Sequence, residues 1–218
     1  MTGEEYTVAP RAWDRFRELD HLVNHWNRRI GPPSFYWYLT FEQSPEIHAL
    51  VRRYQRAIPF PYYDHVSLRD LHVTLDRVEY EDTGSRKTLH AAVAAAREVC
   101  KKLPPIRVGI SSMSGARGAI GFEMEPQESI RTLRDQLREA TLSVIPEAPV
   151  RGPEFHAHIA IAYCNSDEVS PTETIEAVEA LGPLRPIAVT VEKATLVLLR
   201  RLTNSYRWTA ISRIPLGG

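Results

Sequence analysis

Two segments of the chain alternate polar and apolar side chains with the two-residue period of a β-strand. Residues 71–75 read LHVTL, and residues 156–163 read HAHIAIAY. Alternate residues of a strand point to the same face, so His72 and Thr74 share the polar face of the first segment. The same parity predicts a polar face on the second segment made of His156, His158, Ala160 and Ala162. The side chains predicted to face the core are Leu71, Val73, Leu75, Ile159, Ile161 and Tyr163.

The rest of the chain mixes helical and strand periods. Apolar residues three and four apart predict helices over residues 11–28, from residue 45, and over 85–102, 127–144 and 170–181. Alternating or continuous apolar runs predict strands over residues 35–41, 71–80, 106–112, 118–124, 187–200 and 205–214. Because helices and strands do not alternate strictly, the pattern favours an α+β fold over a parallel α/β sheet.

The first predicted helix precedes the main body of the pattern and ends at Gly31-Pro32-Pro33. We therefore divide the chain into an N-terminal helical extension, residues 1–33, and one domain, residues 34–218. His21 and His25 would lie one turn apart on that helix, a spacing that can bind zinc. No third ligand or H-E-x-x-H sequence accompanies them, so a surface helix face is the preferred interpretation.

Composition narrows the function classes. The 218 residues carry 27 basic and 27 acidic side chains, a net charge of zero. Such a balance argues against a protein that mainly binds a nucleic-acid backbone or an anionic membrane, although a local basic cleft remains compatible with it. Cys100 and Cys164 are too few for a disulfide framework or a metal site, so we expect two reduced thiols.

The first five residues, MTGEE, are acidic and lack the apolar core of a secretion signal. The longest apolar run, residues 194–199, is too short to span a bilayer. We expect a cytoplasmic protein without a membrane partner.

His72 and His158 are the strongest candidates for chemistry. They lie 86 residues apart on similar apolar strands, and each is followed two positions later by a small residue. Histidine titrates near neutral pH, so one ring could act as general base and the other as general acid. A single strand histidine is usually structural, but two near-copies favour a function. We expect the two rings to face one cleft from neighbouring central strands.

At these two motifs the sequence resembles the two-histidine (2H) phosphoesterases, which include 2'-5' RNA ligase-like proteins and cyclic phosphodiesterases. Their signature is a pair of H-x-[ST]-x motifs, and the similarity is greatest to the branch common in actinobacteria. Further segments that carry the resemblance are residues 35–41 (FYWYLTF), 158–165 (HIAIAYCN), 206–208 (YRW) and 214–216 (IPL). The resemblance implies a two-lobed, pseudo-symmetric fold with a central cleft between antiparallel sheets flanked by helices.

The resemblance also assigns roles to individual residues. His72 and His158 would be the acid–base pair, in an order that is left open, and the Thr74 hydroxyl would donate to a phosphate oxygen. The second motif has Ala160 where the family has Ser or Thr, so half of this phosphate contact is missing. His156, on the same predicted face, is the candidate replacement. Tyr36 and Tyr38 share a strand face that would line the cleft, and Tyr38 is the preferred residue for stacking on a base.

The resulting hypothesis is a phosphodiesterase that needs no metal or cofactor and acts on a nucleotide or RNA end with a 2',3'-cyclic phosphate. The resemblance also allows 2'-5' RNA ligation, the reverse chemistry. We expect a monomer with no obligate protein partner. Ala160 keeps two alternatives open, namely a nucleotide-binding pseudoenzyme and an enzyme repurposed for a specialised small molecule in a biosynthetic pathway.

Overall fold

A computed structural model of the chain describes residues 11–217. Its α-helices are α1 (Ala12–Arg17), α2 (Pro45–Ala57), α3 (Arg86–Cys100), α4 (Gln127–Leu142) and α5 (Thr172–Glu179). Its strands are β1 (Ser34–Thr40), β2 (Tyr63–His65), β3 (His72–Tyr80), β4 (Ile106–Ala116), β5 (Ala119–Glu125), β6 (His158–Cys164), β7 (Ile187–Val191), β8 (Lys193–Arg201) and β9 (Tyr206–Pro215).

The strands form two antiparallel sheets. The first sheet has the order β3-β1-β8-β9, and the second has the order β2-β6-β5-β4-β7. The last two strands return to the first sheet and pair with each other and with β1. This arrangement confirms the α+β prediction of two antiparallel sheets with helices packed against them.

The helices cover one face of each sheet. Helices α3 and α4 contact each other and the first sheet, whereas α2 contacts α5 and β6. Val73 and Leu75 of β3 point into this core and are buried, as the strand parity predicts. Trp37 of β1 lies in the same core and donates from Nε1 to Oγ1 of Thr141 on α4, 3.0 Å away. Burying each such apolar side chain contributes roughly 1.5–3 kcal/mol, which fixes the face that each strand turns outward.

The helix predicted over residues 11–28 is wrong beyond Arg17. From there the chain runs in a non-helical segment, residues 20–28, which we call the strap. Its backbone bonds to loops of the second sheet: the Leu22 amide donates to Val169 O at 2.7 Å, and the Val23 amide donates to Arg117 O at 2.9 Å. Leu22 is buried without being helical, because it fills a gap in the domain core. The spacing of His21 and His25 is therefore not a helical spacing.

Strand β6 contains a β-bulge that changes its parity. Across β5 and β6, Gly121 pairs with Ala160 but Ile120 pairs with Ala162, so Ile161 has no partner. Ile161 and Ala162 consequently both face the core, and Tyr163 turns to the opposite side. The predicted faces of Ala162 and Tyr163 are thus wrong, because an extra residue in a bulge shifts the alternation by one.

Among residues 11–217 no helix is long and apolar enough to cross a membrane. Cys100 and Cys164 are both free and buried, as expected for reduced thiols. The acidic segment at residues 1–5 lies outside the described residues.

Candidate active site

His72 and His158 face one cleft from two different sheets. His72 begins β3, an edge strand of the first sheet, and His158 begins β6, the second strand of the other sheet. Both rings line a cleft of about 740 Å³, together with Thr74 and Ala160. The shared cleft agrees with the expectation from strand parity. The expectation of two central strands is wrong for β3, because the cleft opens where the edge of one sheet meets the other.

The two imidazoles are held by the same kind of hydrogen bond. Nδ1 of His72 lies 2.7 Å from Asp70 O, and Nδ1 of His158 lies 2.8 Å from His156 O. A carbonyl oxygen can only accept, so Nδ1 carries the proton in both rings. This bond fixes the tautomer and leaves Nε2 of each ring to act as an acceptor when neutral or a donor when protonated.

The cleft lowers the pKa of both histidines. Burial lowers the pKa of His72 to about 4, and repulsion by Arg151 and by His158 in its protonated form acts in the same direction, whereas the hydrogen bond that Nδ1 donates to Asp70 O opposes the shift. The pKa of His158 is also lowered, chiefly by desolvation in the cleft and further by Arg151. Both rings are therefore neutral near pH 7 in the empty cleft. A bound anion would favour the proton that a general acid needs.

The cleft is electropositive although the chain as a whole is neutral. Four arginines line it, and of the described residues in its wall none is Asp or Glu. They are Arg28, Arg77, Arg117 and Arg151. Composition could not reveal this local excess of positive charge, because the four residues come from the strap, β3, a turn and a loop. Such a wall attracts an anionic ligand.

Aromatic rings form one side of the cleft. His25 of the strap stacks on Tyr163 with ring centroids 4.3 Å apart, and its Nε2 lies 2.9 Å from the Tyr206 hydroxyl. Trp26 packs against Tyr163 and Tyr206, each at 5.2 Å. The sequence pattern does not predict this wall, because it predicts a helix over the strap and a core position for Tyr163.

Tyr38 packs against the ring of His72, whereas Tyr36 lines the open cleft. Tyr38 is 1% exposed and stacks face to face on His72, with centroids 4.1 Å apart. Its ring therefore supports the imidazole, and the base-stacking role predicted for it does not fit this position. Tyr36 lines the cleft, where its hydroxyl accepts from Nε of Arg77 at 2.8 Å.

His156 lies next to His158 but is engaged elsewhere. Its Nε2 lies 3.2 Å from Oε1 of Glu123, a buried carboxylate that also accepts from Ser112 Oγ at 2.9 Å. His156 lines two smaller pockets beside His158 and not the main cleft. One of these pockets also includes Ala160, so the role predicted for His156 stays a prediction.

Within residues 11–217 no group of three or more His, Cys, Asp or Glu side chains is positioned to hold a metal ion. The polar groups that the cleft offers to a ligand include imidazoles, hydroxyls and guanidinium groups.

Comparison with known proteins places this geometry in a family. A model of the 2'-5' RNA ligase superfamily matches residues 41–203. A comparison with curated proteins gives no match. Among solved structures, TT0787 of Thermus thermophilus has a TM-score of 0.65 and 18% identity, covering 85% of this chain and 98% of that protein. E. coli LigT complexed with 3'-AMP has a TM-score of 0.65 and 17% identity, covering 86% of this chain and 100% of LigT. At these identities the two structures show a common fold.

Proposed function

This chain belongs to the 2'-5' RNA ligase superfamily, and on that basis we propose that it opens the 2',3'-cyclic phosphate of a nucleotide or RNA end without a metal ion. The observation that carries the proposal is the matched pair of imidazoles, each fixed through Nδ1 and facing one arginine-lined cleft. The complexes of E. coli LigT with 3'-AMP, NADP+ and ATP support a nucleotide as the ligand class.

The reaction needs one neutral and one protonated ring. The neutral Nε2 takes a proton from water as the water oxygen forms a bond to phosphorus. The protonated Nε2 of the partner gives its proton to the ribose oxygen as that P–O bond breaks, leaving a phosphomonoester. Each such proton transfer contributes about 10²–10⁴-fold to the rate. Thr74 supports the step by donating a hydrogen bond from its hydroxyl to a non-bridging phosphate oxygen.

The same machinery can join two RNA ends. If a 5'-hydroxyl replaces water, the attacking oxygen forms the new bond to phosphorus and the 3'-oxygen leaves with the proton. The product is a 2'-5' linkage. Exclusion of water by the aromatic wall would favour ligation over hydrolysis. Hydrolysis remains the primary proposal.

The direct test is turnover of the four 2',3'-cyclic nucleotides and of 2'-5' dinucleotides in the presence of EDTA. We expect activity to survive chelation, and His72→Ala and His158→Ala each to reduce kcat by about 10²–10⁴-fold. His90→Ala, on the exposed side of α3, is the matched control and should retain wild-type turnover. Activity lost in EDTA and restored by zinc or manganese would contradict the proposal.

Ala160 favours one second candidate, a nucleotide-binding protein without turnover. This candidate requires that 3'-AMP binds in the cleft and that none of the phosphodiesters in the turnover assay is cleaved. Turnover of any of the tested substrates would exclude it.

A further inference from the structure

We propose that Arg151 makes the phosphate contact that Ala160 cannot make, and that it is therefore a further catalytic residue of this cleft. The inference rests on the proposed phosphodiesterase function and extends it to a residue outside both histidine motifs. Arg151 lines the cleft together with Thr74 and His158.

The missing contact leaves a defined gap. On β3 the residue two positions after the histidine is Thr74, whose side chain lines the cleft; on β6 the equivalent residue is Ala160, which lines it without a hydroxyl. Strand β5 cannot fill the gap, because Gly121 is its residue paired with Ala160. A Cβ at position 121 would lie 2.0 Å from Ile159 O, so no side chain fits there. The partner residue on β5 therefore supplies no donor, whereas the loop before β6 carries a cationic side chain that lines the cleft.

Arg151 lies on such a loop, and its backbone is clamped on both sides. Its amide donates to Oδ1 of Asp76 at 2.7 Å, and its carbonyl accepts from Nη2 of Arg138 at 2.5 Å. Asp76 and Arg138 are themselves paired at 2.5 Å, and Asp76 is buried on β3, two residues beyond Thr74. The clamp therefore fixes the Arg151 backbone relative to the strand that carries His72.

The side chain of Arg151 is left available to a ligand. Within residues 11–217 its guanidinium makes no hydrogen bond or ion pair, and the side chain also lines the pocket that adjoins His158. Its positive charge also lowers the pKa of both His72 and His158, whose rings line the same cleft. A guanidinium can donate two parallel hydrogen bonds to phosphate oxygens, which more than replaces one hydroxyl. The other candidate donor, His156, shares a smaller pocket with Ala160, but its Nε2 faces Glu123 and it does not line the main cleft.

A double-mutant cycle with Ala160 tests the inference. Arg151→Gln should reduce kcat on a 2',3'-cyclic nucleotide by about 10²–10³-fold, the usual effect of losing one transition-state donor. Ala160→Thr alone should change kcat by less than about threefold, because Arg151 already makes the contact. Added to Arg151→Gln, the same substitution should restore at least about tenfold. Arg86→Gln, at the exposed start of α3, is the charge-matched control and should match the wild type.

A second readout separates this inference from the proposed function. Calorimetry compares binding of 3'-AMP with that of adenosine, and the difference isolates the phosphate contact. Arg151→Gln should lower the affinity for 3'-AMP by about tenfold or more and leave the affinity for adenosine unchanged, even if no substrate is turned over. Equal 3'-AMP affinity in both proteins, or kcat within about threefold of the wild type, would overturn the role of Arg151. A folded wild-type protein that binds neither 3'-AMP nor phosphate would overturn both proposals.

Discussion

Replacing Asp76 by Asn should expose the energetic value of the clamp behind the cleft. Asp76 is 1% exposed, and its carboxylate accepts from Arg138 Nε at 2.5 Å, from the Arg151 amide at 2.7 Å and from the Arg77 amide at 2.9 Å. Asn keeps the size of the side chain but turns one acceptor oxygen into a donor. One of the three N–H groups must then face another N–H group.

The cost follows from the burial of the pair. Breaking a buried ion pair by removing one charge typically costs about 3–5 kcal/mol, because the other charge stays behind. The Arg138 side chain is 19% exposed and keeps its bond to Arg151 O, so part of its charge is still satisfied. We therefore expect Asp76→Asn to lower the free energy of unfolding by about 3 kcal/mol, at the lower end of that range.

Urea unfolding followed by tryptophan fluorescence measures this loss, with Glu81→Gln as the matched control. Glu81 pairs with Arg200 at 2.7 Å, but the two side chains are 38% and 47% exposed. An exposed pair of this kind contributes about 0–1 kcal/mol. The two variants differ mainly in burial, so equal losses of stability would refute the reasoning. At temperatures where it stays folded, Asp76→Asn should also lose part of the kcat that Arg151→Gln loses.

Three further outcomes can be checked. The pKa of His72 is about 4 in the folded chain, below the usual value of about 6.5, so between these pH values the unfolded chain binds a proton that the folded chain does not. The free energy of unfolding should therefore fall by up to about 3 kcal/mol as the pH is lowered through this window. The fall should be smaller in His72→Gln. Tyr163→Leu removes a ring of the aromatic wall and should raise KM for a cyclic nucleotide about tenfold with kcat nearly unchanged, in steady-state assays. Gly121→Ala would place a Cβ against the backbone of β6, so it should displace that strand and lower thermal stability and turnover together. Retention of both would show that β6 can shift to accept the methyl group.

Regular strands explain why the sequence located the two histidines. Side-chain alternation holds without interruption over residues 71–75, so parity placed His72 and Thr74 on one face and Val73 in the core. The alanine-rich helical spacing also predicts helix α3, which runs over Arg86–Cys100 within the predicted range of residues 85–102.

The features that parity could not predict depend on contacts distant in sequence. The bulge at Ile161 exists only in relation to its partner β5, and nothing local marks it. The three-residue strand β2 is defined by pairing with β6 and is too short to show a period. The strap has apolar residues at helical spacing, yet its amides bond to other loops, so tertiary contacts override the local pattern. Arg151 lies in an irregular loop, where position in the sequence does not indicate proximity to His158.

The strap has a mechanical consequence for the cleft. Trp26 donates from Nε1 to Asp64 of β2 in the second sheet, and its carbonyl accepts from Arg201 on the first sheet. His25 contacts Tyr206 of the first sheet. A hinge motion that separated the two sheets would have to break these bonds together. The strap thus acts as a brace between the two sheets that carry His72 and His158.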